Sequence, residues 1–401
     1  MRVSTAQFYF QNAQQLSNLQ TDVNDQVKYL ASGKRVLTAK DDAVSYGTLA
    51  GYKDALTNIE KYQRNLNQAE NRNSLQEVSF ASTEDVMQQL KQLFIQSNNG
   101  TLSDIDLKAL AKLAENSQSE LLDIANTRDE TGSYIFSGFQ VDVQPFSLQP
   151  DGSAIYHGDN GVRELQIAKN VSVATNQTGD NAFEKVANHK GDFSTNYNAN
   201  TSEISVNRAV IVDRGAYDMT TNPPDYNFNF TSTTDLTVTD NNGAVVFNTS
   251  TYTAGQTVAF NGVEVQISGN PLPGDDFDLT PEQNISIFET IKKAIDWMNI
   301  GSNPVDPIQH SIEYNDILKQ LGEGLNHMNA RRVDAGIRLN LVDSQESNHL
   351  DAELHLTSGR SNIEDLDFAK AVATFEQSQV SLQAAQQSFV QIKNLSLFNY
   401  L

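Results

Sequence analysis

The sequence predicts a multidomain protein in which the N- and C-terminal arms form an α-helical coiled-coil bundle and an antiparallel β-rich domain is inserted between them. Three observations predict this. Apolar residues recur every three or four positions near both ends, the helical period. Between about 132 and 281 that period is replaced by alternation and dense turn signals, the marks of short strands. Each arm carries a lone apolar stripe that must be buried against something, and the other arm is the nearest candidate.

In chain order, Leu16, Leu19, Val23, Val27 and Leu30 share one helical face, and Gly33 stops that helix. Asp41 or Asp42 is placed to cap a second helix, whose Leu49, Tyr52, Leu56, Ile59, Gln63 and Leu66 keep a coiled-coil rhythm. The rhythm is interrupted around Glu70–Glu77 and resumes at Phe80, Met87 and Phe94. With no proline before Pro145, a helix from Asp42 to Ser97 is expected to be about 80 Å long at 1.5 Å per residue. Asn98-Asn99-Gly100 ends it, and Ser103 or Asp104 starts a third helix expected to reach about Thr131. The β-rich stretch carries Asp159-Asn160-Gly161, Asn241-Asn242-Gly243, Asn261-Gly262 and Pro273-Gly274-Asp275 as turns, and seven of the nine prolines. Beyond Asn284 helical spacing returns. Leu318, Leu321, Leu325 and Met328 make one stripe. Phe368, Val372, Phe375, Gln379, Leu382, Ala385, Phe389 and Ile392 make a longer one near heptad spacing.

Composition excludes several functions. A net charge of −22 with scattered Lys and Arg is unsuited to a nucleic-acid partner. The same charge opposes self-association, so any assembly must draw on apolar contacts or screening. The absence of cysteine rules out disulfides and thiolate metal sites. No stretch has the ~18 apolar residues needed to span a bilayer, so no membrane partner is expected. Met1–Phe10 lacks the apolar core and cleavage site of a secretory signal. Catalysis is not expected either. Asp41 and Asp42 suit capping better than acid–base work. His349 and His355, six apart, do not share a helical face as zinc ligands would. Asp240-Asn241-Asn242-Gly243 lacks the later bidentate acid of a calcium loop and reads as a hairpin turn. No cofactor is expected.

Both ends resemble the bacterial flagellin superfamily. Leu30-Ala31-Ser32-Gly33-Lys34-Arg35-Val36 with Ala39-Lys40-Asp41-Asp42-Ala43 resembles its N-terminal signature. Glu364-Asp365-Leu366-Asp367-Phe368-Ala369 and Leu382-Gln383-Ala384-Ala385-Gln386-Gln387-Ser388-Phe389 resemble its terminal helix, and Ser396-Leu397-Phe398-Asn399-Tyr400-Leu401 its C-terminus. The stretch Thr131–Gly138 with Pro145-Phe146, and the opening Met1-Arg2-Val3-Ser4-Thr5, resemble the hook–filament junction branch more than filament-forming members.

That resemblance implies a non-enzymatic structural component of the bacterial flagellum. It would be exported unfolded by the flagellar type III pathway with a chaperone on its C-terminal region. It would form a ring of identical chains between hook and filament and nucleate filament assembly. Its partners would be itself, the other hook-associated junction protein and flagellin. A filament-forming flagellin and a coiled-coil surface adhesin are the alternatives.

The organisation expected is an N-terminal assembly helix (1–40) paired with a C-terminal one (368–401), a helical rod in two parts (41–188, with hairpins at 136–186, and 283–367), and an outer β-rich domain (189–282). The assembly interface is expected at Leu16, Leu19, Val23, Val27, Leu30, Phe368, Val372, Phe375, Leu382, Phe389, Ile392, Leu395, Phe398 and Leu401.

Overall fold

The computed structural model describes residues 2–217 and 225–394. Three helices come first: α1 (Arg2–Ser32), α2 (Ala43–Ser97) and α3 (Asp104–Ala125). Gly33, at φ +68°, closes α1, and the Asp42 carboxylate accepts from the Val44 and Ser45 N–H groups to cap α2. Ser103 and Asp106 form a reciprocal capping box on α3. That helix stops six residues short of the expected Thr131. The Asn126 side chain instead pairs with the backbone of Phe146, accepting its N–H at 2.9 Å and donating to its C=O at 3.0 Å.

Among the described residues fourteen short strands follow. β1 (Phe146–Leu148) with β2 (Ala154–Tyr156), and β3 (Glu164–Ala168) with β4 (Val171–Ala174), are hairpins. β5 (Val186–Ala187) then leads into the larger β region, made of β6 (Phe193–Ala199), β7 (Ser205–Ile211), β8 (Tyr226–Phe230), β9 (Leu236–Asp240), β10 (Val245–Thr249), β11 (Thr257–Phe260), β12 (Val263–Ser268) and β13 (Asp276–Pro281). β14 (Asn284–Ile285) leaves it. An antiparallel sheet in the order β10-β9-β8-β13-β6 and a second in the order β11-β12-β7 share one core. Phe260 of the second sheet meets Tyr226 and Phe228 of the first at ring separations of 4.8 and 5.8 Å. The β11–β12 hairpin turns on Asn261 and Gly262, both at positive φ, as a two-residue turn of that hand requires. Asp240-Asn241-Asn242-Gly243 is the β9–β10 turn, with the Asp240 carboxylate accepting from the Asn242 and Ala244 N–H groups.

The chain closes with α4 (Ile287–Ile300), α5 (Pro307–Glu364) and α6 (Phe368–Asn394). By contacts it falls into two units, residues 1–64 with 344–401, and residues 65–343. The expected boundaries at 40 and 367 lie in the helix breaks 33–42 and 365–367.

In the unit 65–343, Phe80, Met87 and Phe94 of α2 pack with α3, with Phe136, Phe146 and Phe183, with Phe288 and Trp297 of α4, and with Leu321 and Met328 of α5. Trp297 stacks on His310 at 4.1 Å and meets Phe94 edge-on at 5.3 Å. The interruption of the α2 stripe has a structural cause. Asn73 and Gln76 are buried and donate to the backbone carbonyls of Ala174 and Thr175, so that face covers polar main chain rather than apolar side chains.

The β region leaves and rejoins the rod at one place. β5 pairs with β14, and the Asn188 N–H donates to the Gln283 C=O. Two residues of α5 hold this base. Asp316 takes the buried Lys190 ammonium at 2.6 Å, and Gln320 accepts from the His189 N–H while donating to the Ala187 C=O. Burial pulls the Lys190 ammonium below its usual range, against the opposing pull of Asp316.

Candidate assembly interface

In the unit 1–64 with 344–401, α1 packs along α6. Leu16, Leu19, Val23 and Leu30 on α1, and Phe375, Leu382 and Phe389 on α6, are half-buried, and Tyr9 meets Phe389 edge-on at 6.2 Å. Val27, Phe368 and Val372 are 46, 54 and 42% exposed. Ile392 belongs to α6 by its backbone, and Leu395, Phe398 and Leu401 lie outside the described residues. No described side chain of α1 is fully buried, and on α6 only Ala371 is. A half-buried Leu or Phe gains about half of the ~1.5–3 kcal/mol of full burial, so each seam position contributes about 1 kcal/mol. Phe8, Phe10, Val380 and Val390 add exposed apolar surface to the same two helices. Within one chain the pair is formed but not saturated.

Below the pair, the first segment of α2 runs beside the last segment of α5. Tyr62 stacks on His349 at 5.6 Å and Gln63 donates to Glu346 at 2.9 Å. Where α1 and α6 meet this segment both arms break their helices, and the breaks are joined. The Arg35 N–H donates to the Glu364 C=O at 2.7 Å and the Leu366 N–H to the Gly33 C=O at 3.0 Å, an antiparallel bridge of Lys34 with Asp365. The Arg35 guanidinium also reaches the Ile363 C=O. The Glu364 carboxylate, in a residue only 5% exposed, takes Lys34 at 2.7 Å, Lys53 at 3.1 Å and Arg360 at 3.7 Å. Burial alone would raise this carboxyl, but Lys34 and Lys53 outweigh it and hold it below its ordinary range. In the 33–42 loop the Asp41 carboxylate accepts from the Thr38 and Leu37 N–H groups and from the Tyr29 hydroxyl. Those bonds hold Asp41 down to about 2 and push Tyr29 up to about 12.

The stripes were visible in the sequence. The charge cluster on Glu364 was not picked out, since Lys34 and Lys53 lie far from it along the chain and only Arg360, one helical turn earlier, is local. Their only local signal is that both arms break their helices at the same height.

Among the described residues no group of three or more His, Asp or Glu side chains is placed to hold a metal ion, and no helix is long and apolar enough to cross a membrane.

Comparison with known proteins gives concordant results at both ends. The family profile described as bacterial flagellin N-terminal helical region matches residues 3–141, and that described as bacterial flagellin C-terminal helical region matches residues 318–401. The flagellar hook-associated protein 3 of Escherichia coli is 23% identical over 398 residues, covering 99% of each chain. Its namesake from Salmonella typhimurium is also 23% identical, with 99% of each chain covered. Among solved structures, flagellar hook associated protein-3 from Legionella pneumophila superposes with a TM-score of 0.67 at 29% identity, over 78% of this chain and 98% of that one. FlgL from Xanthomonas campestris gives 0.63 at 26% identity, over 77% and 99%.

Proposed function

The chain belongs to the bacterial flagellin family, and from that premise we propose that it is the structural protein of the hook–filament junction, with α1 and α6 as its assembly surface. The observation that carries the reading is the unsaturated terminal pair. Two long helices meet along a half-buried seam and keep further apolar side chains exposed, which suits packing against neighbouring copies. The match to hook-associated protein 3 over 99% of both chains, with the superposition on solved structures bearing that name, favours the junction over a filament-forming role. In this reading the protein is not an enzyme. It leaves the cell by the flagellar type III route with a chaperone on its C-terminal region, assembles as a ring, contacts the neighbouring junction protein and flagellin, and nucleates the filament. The region 189–282 forms the outer domain, which takes no part in the ring's inner contacts.

The test is to label this protein on isolated flagella and examine them by electron microscopy. A single narrow band where hook meets filament is expected, and cells lacking the protein should carry bare hooks and release flagellin as monomer. Label along the whole filament would make it a filament-forming flagellin. Label at the cell surface away from flagella would make it an adhesin.

A further inference from the structure

We infer that Glu364 is a positioning residue for assembly: with Lys34 and Lys53 it clasps the two helix breaks together, so that α1 and α6 leave the rod side by side and already in register. The inference deepens the proposed function and rests on its reading of α1 and α6 as the assembly surface.

The geometry separates two tasks. The seam between α1 and α6 is shallow, with no large side chain fully buried among the described residues. It is therefore a poor device for bringing the helices together from a distance, because nucleating and aligning two helices is entropically costly. The breaks below it are made differently. Two backbone hydrogen bonds cross from one arm to the other, and a carboxylate shielded from water gathers Lys34 and Lys53 from two distant segments, beside Arg360 on its own helix. Charge-assisted bonds of this kind are strong for their size and directional. Glu364 is the last residue of α5, with Arg360 one helical turn before it, and Lys53 belongs to α2, so Glu364 joins the Lys34 break to both helices of the rod. The 33–42 loop is folded onto itself through Asp41, which removes its slack.

Unclasped, α1 would swing on a loop of about ten residues, and its encounter with α6 would carry the closure entropy of that loop. Clasped, the last turn of α1 and the first turn of α6 are neighbours, and the Phe368 ring lies against Gly33. Pairing then has only to propagate. The clasp raises the effective concentration of one helix at the other without adding any contact to the seam itself.

The absence of cysteine makes this measurable on the free full-length chain. A terminal probe, Tyr9→Cys with Phe389→Cys, reports how often α1 meets α6. A rod probe, Gln63→Cys with Glu346→Cys, reports the integrity of α2 against α5. Disulfide formation under fixed mild oxidation is followed in each. With Glu364→Gln, and separately with Lys34→Gln, the terminal disulfide should form about tenfold more slowly, the loss expected for a charge-assisted bond. The rod disulfide should keep its rate, and Lys34→Arg should restore the terminal rate. An unchanged terminal rate in both variants would overturn the clasp. Equal slowing of both probes would also overturn it, by making Glu364 an ordinary stabiliser of the rod. If Glu364→Gln fails to fold, the exposed Lys34→Gln and its Arg counterpart decide alone. The rates are read without any assembly, so they stand or fall apart from the position of the band on flagella.

Discussion

Two classes of aromatic and aliphatic side chain look alike in the sequence and differ in their surroundings. Phe80 is fully buried among Phe136 and its neighbours, whereas Phe389 and Leu382 are half-exposed on α6. Truncating a fully packed Phe removes its transfer energy and leaves a cavity, together about 3–5 kcal/mol. Phe80→Ala is therefore expected to lower the melting temperature of the free chain by several degrees. Leu382→Ala and Phe389→Ala should leave that melting temperature nearly unchanged and yet abolish filament attachment in cells, because their remaining surface is buried only by neighbours. Calorimetry on the three variants beside a motility assay checks this. A melting temperature that falls as far for Phe389→Ala as for Phe80→Ala would show that the seam is already saturated within one chain.

At the level of elements, α1 and α6 are long helices without a buried face of their own, and such helices are marginal in water. In the soluble chain, amides of residues 7–30 and 375–394 are expected to exchange with solvent within seconds. Those of Leu49–Leu66 should stay protected, and those of Arg35 and Leu366 should be slower than α1 because their bonds cross between arms. Hydrogen-exchange mass spectrometry reads this directly, and equal protection of α1 and α2 would argue for an ordinary self-contained bundle. The helices and the β insert were legible in the sequence because their periods are local: Leu16 to Leu30 and Phe375 to Phe389 declare a face by spacing alone, and Asn261-Gly262 declares a hairpin. What was not legible depends on distant partners. The polar gap in α2 makes sense only once Asn73 and Gln76 meet the carbonyls of Ala174 and Thr175, about a hundred residues on. The end of α3 is set by Asn126 turning to Phe146, and the role of Glu364 by a lysine 330 positions away.

For the molecule as a whole, the β region is an insertion whose two ends are hydrogen-bonded to each other. Replacing residues 189–282 by a short Gly-Ser bridge from Asn188 to Gln283 is expected to give a chain that still supports filament growth. It should melt lower than the parent, because Ile308 and Ile312 of α5 lose their cover in the β core and Asp316 loses Lys190. Complementation of a null strain, with export verified in the medium, is the measurement, and an exported variant that leaves hooks bare would show that the β region is needed for assembly. The position of Trp297 adds an optical consequence. It is the only tryptophan in the chain, and its ring partners Phe94, His310 and Tyr314 all belong to the unit 65–343. Its emission should shift when that core opens to solvent and stay silent while α1 and α6 fray or zip. Fluorescence melts will thus describe a protein that looks fully folded while its assembly surface is still unmade, and a tryptophan introduced beside Tyr9 would supply the missing colour.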